Sequence, residues 1–283
     1  MTSTSELVSI CRTDILMSGG RDERNRLTSA PTVASETVSL QFAHNIVAND
    51  KLSIGFEDMA VWGTSGQTIS VERGYDNSTP AAHAIGDAVL INAKFSPFQV
   101  LRSMQAEVQS LTSEPGLFVP SYTTFTATGG TWTYELDGID PDQVLKVEVE
   151  SLSDDGEWFP WAAYSVTRSS TGTQIVLHEG WEGDVRVTYK ADYTTLTSST
   201  ADVAATTGVG DPTLIAVGAA LRLTRGRPIR RSFTEAQGDS RRANEVPGFV
   251  TEQSDRNLER WYEDLKRAER RRLLQRHQPR RHR

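Results

Sequence analysis

Five histidines, one cysteine and a few paired carboxylates are the residues from which this chain could build chemistry. His44, His83, His178, His277 and His282 share no H-x-x-x-H or H-E-x-x-H spacing, so no zinc site is expected from them. Cys11 stands alone. That excludes an intrachain disulfide and a cysteine-based zinc site, and nothing in it points to an oxidising compartment. Asp154-Asp155 and Glu179/Glu182 lie in expected loops. Whether such a pair can cleave a glycoside depends on its separation in space, which sequence does not give. No G-x-S-x-G, P-loop or G-x-G-x-x-G occurs, and Gly129-Gly130 reads as a turn between strands. The expectation is a protein without a catalytic site, a metal or a cofactor.

Two other constellations could bind rather than react. Trp158, Phe159, Trp161 and Tyr164 form an aromatic cluster. It reads as the core and interface patch of a small domain, with a glycan platform at Trp158, Trp161 and Tyr164 as the alternative. The second is a basic tail. Residues 222–283 hold 18 Lys/Arg against 9 Asp/Glu, a surplus of +9, and the rest of the chain carries −16, which together give the net −7. Of those 18, 17 are Arg. Arginine forks onto carboxylates and phosphates, so a contact with an acidic subunit surface, or with DNA, is favoured over plain solvation. The expected partner contacts are Leu258, Trp261 and Leu265, with Arg267, Arg270, Arg271 and Arg272.

The elements that must position these residues are mostly strands. TVSLQF, KLSIGF, AVW, TISV and AVLI are short, β-branched and punctuated by Asn, Asp, Gly and Ser, and Leu52, Ile54 and Phe56 alternate. Arg21 to Arg26 reads as a charged turn, and the apolar residues from Leu7 to Met17 as either a strand or a helix. Ser96-Pro97 opens a helix carrying Val100, Leu101, Met104, Val108 and Leu111. Alternating strands then recur between glycine-bearing turns up to residue 193, as in an Ig-like sandwich. Residues 194–210 are small and polar and read as a linker or an extended arm. Asp211-Pro212 opens a helix ended by Gly226 and Pro228, apolar nearly all round. With only small β units beside it, Leu214, Ile215, Val217 and Leu221 are expected to pack on neighbouring subunits. Residues 225–248 read as an extended basic crossing, and 254–275 as a second helix with a stripe of Leu258, Trp261, Tyr262, Leu265 and Ala268.

The expected fold is therefore mainly β with helical segments. It comprises an N-terminal β domain at 1–95, a connecting helix at 96–117, a β-sandwich at 118–193, a linker at 194–210 and a helical, Arg-rich arm at 211–283. A length of 283 residues suits roughly two compact domains. The apolar share of 37% lies below the usual value of about 45–50%, which suggests small domains or surface buried against other subunits. No basic-then-apolar leader precedes residue 30, and the apolar run at 212–221 is about half a membrane span.

One stretch has a specific likeness. Ile69 to Val89, ISVERGYDNSTPAAHAIGDAV, resembles the V-x-R-G-x-D-x-x-x-A-x-x-H-x-x-G-x-x-V element of structural proteins of tailed-bacteriophage virions. It makes sense as a strand–turn–strand cassette. Arg73-Gly74 makes the bend, Asp76 caps the turn at Pro80 to His83, and Gly86 reverses the chain. Residues 211–248 are similar to a stretch of long-tailed phage proteins near the head–tail junction. Typical adaptors of that junction are small and helical, so this chain would be an adaptor-like or neck protein with two added β domains. The resemblance implies a homo-oligomeric ring, twelve-fold by family likeness, that joins portal protein, connector and tail proteins. It implies contact with packaged DNA as a further option, no membrane, assembly in the host cytoplasm and residence in the virion. A tail-associated module gripping host glycan through the Trp-rich sandwich is the alternative.

Overall fold

The computed structural model describes residues 1–17, 22–42, 45–151, 156–170, 172–225 and 248–277. The expectations for Gly19-Gly20, Arg21, His44, Asp154-Asp155, the helix stop at Gly226 and Pro228, the basic crossing up to residue 247 and the tail beyond His277 lie outside these residues. The chain is mainly β with helical segments, as its patterning predicts. It forms two compact units, Met1–Ser110 with Thr194–Arg267 and Leu111–Tyr193 with Ala268–Arg283.

Among the described residues the first unit has six antiparallel strands, β1 (Glu23–Arg26), β2 (Thr37–Ser39), β3 (Lys51–Ile54), β4 (Glu57–Ser65), β5 (Thr68–Glu72) and β6 (Ala88–Ile91), in the order β1-β6-β3-β4-β5-β2. Leu27 and Leu40 bridge the outer two, with Thr28 N–H donating to Ser39 O and Gln41 N–H to Arg26 O, both at 2.9 Å. The sheet therefore closes into a small barrel and leaves no open edge. Leu27, Val38, Leu52, Ile54, Met59, Val71 and Val89 are among the residues that fill it. The run expected as a charged turn supplies β1. It has no apolar alternation of its own. Asn25 faces inward and is satisfied by the backbone of Phe42 at 2.8 Å, so closure of the barrel rather than local pattern selects this strand. Phe56, expected to continue β3, instead follows the left-handed Gly55 in the β3–β4 turn.

Helices complete this unit. α1 (Thr4–Ile10) is capped by Ser3, whose hydroxyl accepts from Glu6 N–H at 3.2 Å, and runs into a π-turn at Cys11–Ile15. α2 (Pro97–Thr112) starts at Ser96, whose hydroxyl accepts from Gln99 N–H at 3.1 Å. Its expected apolar face is buried. α3 (Val203–Thr207) and α4 (Thr213–Arg225) follow the second unit in sequence. Residues 194–210 do not form a free linker. Thr4 N–H bonds Thr200 O at 3.0 Å, Val203 N–H bonds Thr2 O at 2.9 Å, and Gln105 bonds Leu196 O at 2.8 Å. Leu196, Val203 and Val209 are buried, and these few apolar residues suffice to pin a polar segment.

The second unit is a two-layer sandwich built from β7 (Val119–Ala127), β8 (Thr133–Asp137), β9 (Val144–Glu150), β10 (Trp158–Pro160), β11 (Tyr164–Arg168), β12 (Gly172–Leu177) and β13 (Gly183–Ala191). Its sheets run β10-β9-β13-β7 and β11-β12-β8. β8-β12-β11 match strands B, E and D of an immunoglobulin domain, and β10-β9-β13 match C′, C and F. β7 pairs antiparallel with β13 along its whole length and takes the place of strand G. Val147, Val149, Ile175, Leu177, Val185 and Val187 form much of the core. The last helix, α5 (Gly248–His277), contributes to both units.

Candidate functional site

The phage-like segment is organised by a residue outside it. Glu57 opens β4 and is 1% exposed. Arg73 clasps its carboxylate with Nε at 2.7 Å and Nη2 at 2.8 Å. Ala81 N–H donates at 3.0 Å, Gly74 N–H at 3.3 Å, and His83 Nε2 lies at 2.8 Å. Arg73 also donates to Thr32 O at 2.6 Å and to Ala81 O. Burial opposes ionisation of Glu57, but the bonds from Arg73, Ala81 and His83 outweigh it and hold the carboxyl below its ordinary value. Gly74 sits at φ +68°, and a Cβ there would meet Ser78 O at 3.0 Å and the Pro80 ring at 3.1 Å. The arginine, glycine and histidine of the cassette thus hold one loop in shape. Asp76, expected to cap the Pro80–His83 turn, pairs with Lys51 at 2.8 Å instead, and Glu57 takes the capping role. Nothing in the spacing announces Glu57, because its partners lie 16 to 26 residues away.

The next residue, Asp58, is fully buried on the other side of the strand. It accepts from Ser53 at 2.6 Å, from Ser96 at 2.8 Å and from Lys51 at 2.7 Å. Ser96 thereby joins the cap of α2 to the barrel. Burial lowers the Lys51 pKa, but the bonds to Asp58 and Asp76 outweigh it and raise the ammonium above its ordinary value. Both carboxylates are saturated with donors, an arrangement suited to fixing shape. Among the described residues, no group of three or more His, Cys, Asp or Glu side chains is placed to hold a metal. No described helix is long and apolar enough to cross a membrane.

The aromatic cluster is divided. Trp158 lies on the outer face of the four-stranded sheet. The Arg186 guanidinium covers its ring at 4.4 Å, lies 5.8 Å from the Tyr122 ring and pairs with Glu148 at 2.9 Å. Trp161 and Tyr164 instead pack against the sandwich core, with Trp161 and Trp181 centroids 5.4 Å apart. The expected single patch of Trp158, Trp161 and Tyr164 does not form, because successive short strands turn these rings to opposite sides of a layer.

The expected subunit-facing residues are corrected by burial. Leu214, Ile215, Val217 and Leu221 are at most 4% exposed within the chain itself. α4 packs against α1 and the π-turn, and the Cys11 thiol donates to Ala216 O at 3.4 Å. Burial pushes that thiol up to about 12 despite the nearby Arg12. A helix apolar all round does require cover on all sides, and segments distant in sequence supply it here.

α5 presents the clearest candidate binding surface. Its inner face carries Leu258, Tyr262 and Leu265, each half-buried, and the fully buried Leu273. Tyr262 donates to Glu107 of α2, which also takes Arg222 of α4 at 2.7 Å. In the second unit Arg270 pairs with Glu114 at 3.1 Å and donates to Pro115 O at 3.1 Å, while Arg272 pairs with Glu269 at 2.6 Å. Arg270 and Arg272 are thus committed inside the chain, a correction to their expected role. The helix turns Arg256, Arg260, Arg267 and Arg271 outward with Trp261, which is 43% exposed. Glu263 and Asp264 are interleaved with them. Trp261 and Ala268, expected on the packed stripe, lie on the exposed side, because the helix seats itself on Tyr262 and Leu273. No protein-family model and no curated protein matches this chain.

Proposed function

We propose that this chain is a structural protein of a tailed-bacteriophage virion, a head-to-tail connector. In this reading copies form a ring between the portal-bearing capsid vertex and the tail, and the ring helps keep the DNA channel continuous. The observation that carries it is the α5 ridge. Within the first unit its inner face is fastened by Tyr262 to Glu107, and Arg256, Arg260 and Arg267 point outward with Trp261. A ridge held this way is pre-ordered, so docking forfeits little conformational entropy. Interleaved Glu263 and Asp264 favour a charge-patterned protein surface over the uniformly negative phosphates of DNA. The saturated Glu57 latch supports a structural role for the phage-like cassette. Cryo-electron microscopy of intact particles tests the reading. Barrel and sandwich density in a ring at the head–tail junction is expected, and its location at a tail tip or fibre would overturn it.

A further inference from the structure

The barrel exterior carries a groove that neither the cassette latch nor the α5 ridge uses. β4 and β5 pair as Val61↔Val71 and then Gly63↔Ser70, so Trp62 is an extra residue in a β-bulge. Val61 before it is buried in the barrel, so the strand pleat turns the indole outward, to 70% exposure. Exposed Glu36 and Glu72 line the same groove, with Val33, Thr37 and Ser70. Neither carboxylate has an ion-pair partner among the described residues. Arg73 also borders the groove, but its guanidinium is turned onto Glu57. An exposed indole and two exposed carboxylates lining one groove suit a planar cation, since a guanidinium can stack on an aromatic ring while its N–H fork binds carboxylate.

We infer that Trp62, Glu36 and Glu72 form a guanidinium-binding groove that takes an arginine from residues 278–283 of a neighbouring copy. That segment reads QPRRHR and supplies Arg280, Arg281 and Arg283. Charge complementarity selects it, because the groove offers two exposed carboxylates while this segment carries three arginines and no acidic residue. A groove on one copy filled by a different surface of the next is a heterologous contact, and repetition of such a contact closes a ring or extends a filament. The proposal builds on the ring reading above, yet it is tested on purified protein without a virion.

The test mixes isotopically light and heavy full-length chains with a photo-crosslinking amino acid in place of Val33, which borders the groove and leaves Trp62 intact. Light-to-heavy crosslinks from position 33 to residues 278–283 are expected. Crosslinks confined to one copy, or inter-copy crosslinks only to other segments, overturn the proposal. In sedimentation velocity, Glu36→Gln with Glu72→Gln is expected to weaken self-association about two- to tenfold at low salt, with melting unchanged because both residues are exposed. Trp62→Ala is expected to weaken it about two- to fivefold. A wild-type chain that stays monomeric, or variants that associate as tightly as wild type, would also overturn it. A connector located in particles but lacking these crosslinks would keep its function and lose only this interface.

Discussion

Glu57 and Cys11 show how one buried group can be decisive without reacting. The Glu57 carboxylate gathers Arg73, two backbone N–H groups and His83 at a site that excludes water. Glu57→Gln removes the countercharge and leaves a buried guanidinium, so a loss of about 3–5 kcal/mol in chemical denaturation is expected. The same residue sets an acid limb. Its folded pKa lies below the ordinary 4.5, so its contribution is complete above about pH 4.5 and is lost as pH falls through the lower folded value. The melting temperature of wild type should drop in that window, and the Gln variant should lack that component. Cys11 makes the opposite case. A fully buried thiol raised to about 12 holds almost no thiolate at pH 8, so iodoacetamide should label it only after unfolding, as read by intact mass.

Among the elements, α4 depends on one missing methyl group. Gly218 lies where α4 meets Glu107 of α2, and a Cβ there would stand 2.4 Å from the Glu107 carboxyl carbon. Glu107 cannot swing away freely because Arg222 and Tyr262 hold it. Gly218→Ala should therefore destabilise by about 1–3 kcal/mol, although alanine is the better helix former by about 1 kcal/mol. In a Glu107→Ala background the clash disappears and the same change should become stabilising. A double-mutant cycle by urea denaturation reads this reversal. Ile215→Asp puts an unpaired charge in a fully buried site of α4, which packs on α1 and the π-turn. It should unfold the unit, seen as loss of cooperative melting, rather than merely block assembly.

The whole molecule carries its charge unevenly, and α5 is where that asymmetry meets a fixed surface. Arg260→Glu with Arg267→Glu and Arg271→Glu changes exposed positions only, so stability should shift by less than about 1 kcal/mol. Incorporation into particles, scored by immunoblot of purified virions, should fall at least tenfold if the ridge docks. Removal of residues 254–283 is a blunter instrument. It takes away Tyr262 from Glu107 and Arg270 from Glu114, so a lower melting temperature should accompany any loss of attachment.

Local pattern alone determined much of this protein. Alternation in Leu52 and Ile54 marked β3, Ser96-Pro97 marked the start of α2, and the apolar run from Leu214 marked α4, because strand pleat, helix cap and burial of apolar area are read from neighbours in sequence. What covers those elements was not legible. Closure of the barrel through Leu27 and Leu40 recruits a charged stretch as a strand, and Leu196 and Val203 pin a segment that looks like a linker. α4 finds its cover in α1, about 200 residues earlier, so a helix that reads as an interface is core. Glu57 and Glu107 owe their roles to partners that only long-range packing brings together. Tertiary structure decided these, because the free energy of a buried carboxylate or a covered helix depends on groups brought close in space rather than on their order in the chain.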